Sequence, residues 1–229
     1  MEETMKKLDK KALLRAGLAL VLAFGTMFSA GAEAKKIAAT PNLDVYIPEG
    51  ATGKLPVVFL AQNGGAKKED WQDYAGALAE SGYIVASIGW SDFGNNKDMK
   101  DAIAKVLTDY ADQADTDRVA FIGGCHGAVK FTQILSKEPY SKFKALVFLS
   151  ISEDVFVPKK HAPILAVYST KDHLGDYYIA KTKQIATHFS NPSKVVVVEG
   201  KPHGHEFVTD PECGPTIREE IKNWLAANL

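Results

Sequence analysis

The turn around Cys125 constrains the fold of this 229-residue chain more than any other feature. The apolar run 118–122 predicts a buried strand, and the residues from position 126 onward have the spacing of a helix. Gly123 and Gly127 stand two residues before and two residues after the cysteine. In a sharp turn, a side chain at either position would collide with the neighbouring strand or helix. The segment therefore predicts a strand, a strained turn and a helix, with a sulfur atom at the turn.

This pattern of strand, G-x-C-x-G and helix is a cysteine version of the nucleophile elbow, a turn that presents a reactive side chain at the edge of a sheet. The following helix directs its N-terminal amides and dipole at the sulfur, which stabilises negative charge there. The amide of His126 would then donate to the oxyanion of a tetrahedral intermediate. The pattern indicates that Cys125 is a catalytic nucleophile.

A second amide for the oxyanion is expected after the apolar run 55–61, where the chain continues Gln62-Asn63-Gly64-Gly65. Glycines in this loop allow a backbone amide to approach a substrate oxygen closely. We expect the amide of Gly64 to take this role, with the amide of Asn63 as the alternative. An ordinary Asn-Gly turn without catalytic role is the competing interpretation.

The catalytic acid is expected between the nucleophile and the histidine in the chain, at the carboxyl end of a strand. Asp172 stands in a short loop after the apolar run 164–169. Its carboxylate could orient the histidine and stabilise the imidazolium. Glu153 or Asp154, which follow the preceding apolar run, are the alternative acids.

The catalytic base is expected in the segment after the apolar run 194–199, which contains two histidines. His203 is the expected base, and His205 is the alternative because a loop can present either ring. The two histidines with Glu206 and Cys125 could also be interpreted as a metal site. We expect no metal there, because no further ligands stand at a recognised spacing and a metal would occupy the nucleophile.

Apolar, β-branched runs alternate with amphipathic stretches through the chain, which predicts an α/β fold with a mostly parallel sheet and helices on both faces. Strands are predicted at 43–47, 55–61, 83–88, 118–122, 144–151, 164–169 and 194–199, and helices at 69–80, 97–111, 126–137, 176–189 and 215–227. No stretch between them is long enough for an inserted lid domain, so we expect an open active site.

The first 34 residues have the layout of a secretory signal peptide. Basic residues precede the apolar run 16–32, and A-x-A cleavage sites end at Ala32 and Ala34. The interrupted apolar run is shorter than the roughly 20 residues of a membrane span. We expect a cleaved signal peptide at 1–34, a mature domain at 35–229 without stable membrane insertion, and a periplasmic or secreted bacterial protein.

The charge balance favours a small molecule as the partner. A formal net charge of -1 provides no basic surface for nucleic acid or for an anionic membrane. No cofactor is expected, because the candidate residues supply a nucleophile, a base and an acid themselves.

With the elbow, the acid and the histidine in this order, nearly all of the mature chain resembles the α/β-hydrolase superfamily. The lidless build and the cysteine elbow are similar to the dienelactone hydrolase group. That group hydrolyses small esters and lactones with a Cys-His-Asp triad, which the resemblance places at Cys125, His203 and Asp172. The resemblance implies a hydrolase of small carboxylic esters, thioesters or lactones that works through an acyl-cysteine, and the signal peptide adds the expectation that it is exported.

Two other functions are compatible with the sequence. An acyl-cysteine is a thioester and is activated toward amines and alcohols, so the same site could transfer an acyl group to an acceptor other than water. Alternatively, Cys125 and Cys213, the only two cysteines, could form a disulfide in a non-catalytic exported protein of the same fold.

Overall fold

Strands and helices alternate through residues 33–90, 96–138, 140–151, 162–188 and 193–229, which are the residues that the computed structural model describes. The strands are β1 (Ala34–Thr40), β2 (Leu43–Pro48), β3 (Leu55–Ala61), β4 (Ile84–Ile88), β5 (Ala114–Gly124), β6 (Ala145–Leu149), β7 (Ile164–Ser169) and β8 (Ser193–Val198). The helices are α1 (Gln72–Glu80), α2 (Lys97–Asp109), α3 (His126–Thr132), α4 (Asp176–His188), α5 (Glu206–Thr209) and α6 (Gly214–Asn228).

These strands form one open sheet in the order β1-β2-β4-β3-β5-β6-β7-β8. The pairs β1 with β2 and β2 with β4 are antiparallel, and all the other neighbouring pairs are parallel. Parallel strands therefore end at the same edge of the sheet, and in open α/β sheets that carboxyl edge is where ligands bind. The described residues that directly follow β3, β5, β6, β7 and β8 lie at this edge and form the candidate site.

The core lies in two layers, one on each face of the sheet, because successive side chains of a strand point to opposite faces. In β3, Val57 and Phe59 belong to one layer, and Val58 and Leu60 belong to the other. Helices α2, α3 and α4 contribute apolar side chains to the first layer, and α1, α5 and α6 contribute to the second. The predicted arrangement of helices on both faces is therefore confirmed.

The seven predicted strands overlap β2 to β8, and β3 and β7 coincide with their predictions residue for residue. The sequence reading missed β1, because this edge strand exposes Lys35 and Lys36 and has no continuous apolar run. The predicted helix 126–137 was too long, since α3 ends at Thr132, and the predicted helix 69–80 begins as a short 3-10 turn at Lys68–Trp71.

Most of the predicted signal peptide lies outside the described residues, which begin at Glu33, and β1 starts at Ala34. Within the described ranges, no helix combines the length and the apolar character that crossing a membrane requires.

Candidate active site

Cys125 stands at the junction of β5 and α3 in a strained conformation, with φ 46° and ψ −113°. Such a left-handed backbone costs energy for any residue other than glycine, and it persists only where the surrounding structure holds it. The Cys125 amide donates to the carbonyl oxygen of Leu149 at the end of β6 (2.8 Å), and α3 begins at the next residue, His126. The turn thus fixes the thiol at the carboxyl edge of the sheet, with 7% of the residue exposed.

The two glycines of the turn are required by close backbone contacts. A Cβ atom on Gly123 would lie 2.7 Å from the amide nitrogen of Ala128, and one on Gly127 would lie 2.7 Å from the carbonyl oxygens of Ala61 and Gln62. These distances are shorter than a carbon atom tolerates, and the obstructing atoms belong to the backbone. The G-x-C-x-G spacing therefore reflects how tightly β5, α3 and the end of β3 pack.

Asp172 and His203 form a buried pair next to the turn. The Asp172 carboxylate can only accept, so Nδ1 of His203 carries the hydrogen and donates to Oδ2 of Asp172 (2.8 Å). The hydroxyl of Ser150 donates to the same Oδ2 (2.8 Å), and the amide of Leu174 donates to Oδ1 (2.9 Å). Three donors therefore hold the carboxylate from the loop after β7. One of them is the imidazole from the loop after β8, which this hydrogen bond orients.

The environment favours a charged His203. Burial alone would lower its pKa, but the hydrogen bond to Asp172 and the electrostatic contact with Cys125 raise the pKa of His203 to about 9. Burial would likewise raise the pKa of Asp172, yet the donors His203, Leu174 and Ser150 hold it below its ordinary value. Both shifts favour an imidazolium bound to a carboxylate.

The second ring nitrogen of His203, Nε2, is buried and has no partner in ordinary hydrogen-bond geometry among the described residues. Cys125 is nevertheless near enough to raise the pKa of the ring. Catalytic hydrogen bonds commonly close only when substrate is bound. Nε2, unlike Nδ1, is not committed to Asp172 and is available to a reacting group.

His205 has different partners from His203. Its backbone amide donates to Oδ1 of Asn63 (3.1 Å), which identifies the other amide atom of Asn63 as the nitrogen. That nitrogen donates to Nδ1 of His205 (3.0 Å), so His205 is neutral with its proton on Nε2. Burial also lowers the pKa of His205. Of the two candidate bases, the structure therefore brings His203 to the acid and gives His205 a contact with the loop after β3.

The side chain of Asn63 also fills the space between the two loops that carry Cys125 and His203. A Cβ atom on Gly124 would lie 2.0 Å from its Oδ1, and one on Gly204 would lie 2.1 Å from its Nδ2. In the same loop, a Cβ on Gly64 would lie 3.8 Å from Cβ of His126. The structure thus brings together Gly64 and His126, the residues whose amides were predicted to hold an oxyanion.

Two further aromatic rings flank His203, and the sequence did not point to them. The rings of Tyr178 in α4 and His173 meet the imidazole edge-on, with centroids 4.7 Å and 5.8 Å away. The carboxylate of Glu206 accepts the backbone amide of His203 (2.9 Å). Tyr178 lies in the first turn of α4, the helix that follows β7, and this position is the only local sequence signal for its contact with His203.

The other predicted residues have simpler outcomes. The alternative acids Glu153 and Asp154 lie outside the described residues. Both cysteines are free thiols, so the structure lacks the disulfide of the non-catalytic interpretation. Within the described ranges, no group of three or more His, Cys, Asp or Glu side chains could hold a metal ion.

The sequence matches no protein-family model and no curated protein. Its fold is similar to those of several solved structures. Esterase B from Lactobacillus rhamnosis aligns with a TM-score of 0.67 and 13% identity over 95% of this chain and 94% of that one. A dienelactone hydrolase-like promiscuous phosphotriesterase from metagenomic libraries aligns with a TM-score of 0.68 and 14% identity over 86% and 99%. Esterase 2 from Thermogutta terrifontis, phosphonylated by cyclosarin, aligns with a TM-score of 0.65 and 16% identity over 86% and 94%. Together with the strand order, these matches show that the chain has the α/β-hydrolase fold.

Proposed function

We propose that this chain hydrolyses small carboxylic esters, thioesters or lactones, with Cys125 as nucleophile, His203 as acid and base, and Asp172 as the residue that orients His203. The observation that carries the proposal is the buried Asp172–His203 pair beside a cysteine in a strained turn. The similarity to solved esterases and to a dienelactone hydrolase-like enzyme supports the same reaction class.

Acylation begins from a thiolate at Cys125 and an imidazolium at His203. The sulfur attacks the carbonyl carbon of the substrate, and the amides of His126 and Gly64 donate to the oxyanion that forms. The intermediate collapses, the bond to the leaving oxygen breaks, and Nε2–H of His203 protonates the departing alkoxide. The products of this half-reaction are an alcohol, an acyl-cysteine and a neutral imidazole.

Deacylation returns the site to its starting state. Neutral His203 accepts a proton from water through Nε2 while the hydroxide attacks the thioester carbonyl. The second tetrahedral intermediate expels the Cys125 thiolate and releases the carboxylic acid. His203 is again an imidazolium, and the Asp172 carboxylate beside Nδ1 stabilises this charge in both half-reactions.

Replacing each cysteine in turn tests the proposal. With a short-chain p-nitrophenyl ester, we expect Cys125→Ala to lower kcat/KM by at least about 10³-fold, because the nucleophile is lost. Cys213→Ala is the matched control, and its kcat/KM should stay within about twofold of the unchanged protein, since the half-buried Cys213 is not part of the Asp172–His203 pair or of the turn at Cys125. Thermal unfolding of both variants checks the fold. Unchanged turnover in a folded Cys125→Ala variant would remove the proposal.

Acyl transfer is the second candidate, and the cysteine itself favours it because the intermediate is a thioester. The two reactions share the acyl-cysteine and differ in the acceptor. Product analysis in the presence of a competing amine or alcohol separates them: transfer gives an amide or a new ester, and hydrolysis gives the free acid at any acceptor concentration.

We also propose that the protein is exported, on the basis of residues 1–34 alone. Cleavage after Ala32 would leave β1 whole, whereas cleavage after Ala34 would remove its first residue. Mass spectrometry of the protein from a periplasmic fraction should show a chain that starts at Glu33 or at Lys35. An intact Met1 in a cytoplasmic fraction would contradict export.

A further inference from the structure

Ser150 shares a rare backbone feature with the nucleophile. Among the described residues, Cys125 (φ 46°) and Ser150 (φ 48°) are the two non-glycine residues with positive φ. Ser150 follows β6, the strand between the one that leads to Cys125 and the one that leads to Asp172. Strained residues of this kind cluster at functional sites, where the surrounding structure holds them in place. The conformation of Ser150 therefore calls for an explanation.

The backbone around Ser150 is fixed on both sides. Its amide donates to the carbonyl oxygen of Val167 in β7 (2.9 Å). The next amide, that of Ile151, donates to Oγ1 of Thr182 in α4 (3.0 Å). Leu149, the residue before it, accepts the amide of Cys125 (2.8 Å). The strained residue is thus tied to β7, to α4 and to the nucleophile turn.

The side chain of Ser150 makes one contact of chemical interest. Its hydroxyl is fully buried and donates to Oδ2 of Asp172 (2.8 Å), the same oxygen that accepts Nδ1–H of His203 (2.8 Å). The Leu174 amide holds Oδ1 of the carboxylate (2.9 Å). The Ser150 hydroxyl is a second donor on Oδ2, and it restricts the position of the oxygen that His203 contacts.

We propose that Ser150 is a positioning residue that orients Asp172, so that His203 presents Nε2 to Cys125. This inference rests on the proposed hydrolase function. The strained backbone places the hydroxyl against Oδ2 at a point where the strand has ended. A glycine would adopt this backbone without strain but has no hydroxyl, which explains why a serine occupies a position that glycine would favour.

Two substitutions separate the hydroxyl from the backbone. Ser150→Ala and Ser150→Gly both remove the donor, and glycine also removes the strain. The loss of one hydrogen bond to a charged group corresponds to about a tenfold change in rate. We therefore expect kcat to fall about tenfold in both variants, with KM within about twofold of the unchanged protein. Thermal unfolding should show the glycine variant to be at least as stable as the alanine variant.

Ser169→Ala is the matched control. Ser169 is also a fully buried serine at the end of a strand, β7, and its hydroxyl has no hydrogen-bond partner among the described residues. Removing it should leave kcat unchanged. Equal losses of kcat in Ser150→Ala and Ser169→Ala would overturn the proposal, because the effect would then be one of general packing.

The titration of His203 gives a readout that does not require turnover. With ¹⁵N-labelled histidine, assigned by a His203→Gln variant, the pKa of about 9 should fall by about one unit in Ser150→Ala. The fall is expected because a misaligned carboxylate stabilises the imidazolium less. An unchanged or raised pKa would overturn the positioning role.

The two proposals fail in different ways. If Cys125→Ala retains turnover, the hydrolase function fails, while the His203 titration still reports on Ser150. If Cys125→Ala is inactive but Ser150→Ala matches the unchanged protein in kcat and in the pKa of His203, the positioning role alone fails.

Discussion

Two cysteines of this chain stand immediately before helices, and almost everything else around them differs. Cys125 precedes α3 with a left-handed backbone, and Cys213 precedes α6 with an ordinary right-handed one (φ −95°, ψ −23°). The charged neighbour of Cys125 is the imidazole of His203. The charged neighbour of Cys213 is the carboxylate of Asp210, which accepts its amide (2.9 Å).

The difference shows that two cysteines at helix starts can have very different electrostatic surroundings. Burial, as the largest cause, and the nearby Asp210 carboxylate, as the second, raise the pKa of Cys213 to about 11. This thiol is therefore protonated at neutral pH. Cys125 has the imidazole of His203 beside it instead of a carboxylate. The loops at the carboxyl edge therefore distinguish the surroundings of the two cysteines, and each loop can be tested by substitution.

The largest expected effect on turnover comes from removing the imidazole of His203, which distinguishes the surroundings of Cys125 from those of Cys213. His203→Ala should lower kcat/KM for a short ester by about 10³- to 10⁴-fold, because both the base and the proton donor are lost. His205→Gln keeps an acceptor for Asn63 and should lose less than about tenfold. Steady-state kinetics compares the two variants, and equal losses would show that the assignment of the base is wrong.

The two carboxylates give the next effect. Asp172→Asn should lower kcat by about 10²- to 10³-fold, because it removes the charge that stabilises the imidazolium and favours the wrong tautomer. Asp210→Asn is the control: turnover should not change, while the pKa of Cys213 should fall and its alkylation by iodoacetamide should become faster. Loss of turnover in the Asp210 variant would contradict the claim that the surroundings of Cys213 take no part in the reaction.

The charge on His203 also predicts a dependence of stability on pH. The folded protein holds this proton up to about pH 9, and the unfolded chain releases it near 6.5. The resulting stabilisation is complete below about pH 6.5 and is lost as the pH rises through 9, to a total of at most about 3 kcal/mol. Urea unfolding of the unchanged protein and of His203→Gln between pH 6 and 9.5 measures it. Parallel profiles of the two proteins would contradict a raised pKa.

The smallest effects concern the glycines of the two regions. Gly127→Ala should destabilise the fold by about 1–3 kcal/mol, because its Cβ would meet backbone oxygens at 2.7 Å. Gly214→Ala should change the unfolding free energy by less than about 1 kcal/mol, since alanine favours the helix and the nearest atom, the Val208 carbonyl oxygen, is 3.2 Å away. Denaturant unfolding distinguishes the two, and similar values would contradict the close packing of the elbow.

Local patterns in the sequence were sufficient to predict most of the fold and the main contact of the site. The apolar runs predicted β2 to β8, and β3 and β7 residue for residue, because buried parallel strands are apolar on both faces. The glycine spacing predicted the turn at Cys125. Parallel strands end at one edge, which is why Asp172 and His203 could be expected to meet.

The remaining features depend on contacts between distant parts of the chain. The Asn63 amide bonds to a ring 142 positions away, and Ser150 bonds to Asp172 22 positions away. Neither pairing has a local sequence signature. The sequence favoured His203 over His205 as the base but could not assign their partners, because only the path of the loop after β8 gives the first to Asp172 and the second to Asn63.

The most direct test of the central claim is to trap the acyl-enzyme. The protein is mixed with a short activated ester, quenched in acid within the first turnover, digested and analysed by mass spectrometry. We predict an acyl group on the peptide that contains Cys125, released by neutral hydroxylamine as a thioester is, and an unmodified Cys213. Turnover with Cys125 unmodified throughout, or an acyl group on a different side chain, would contradict the account.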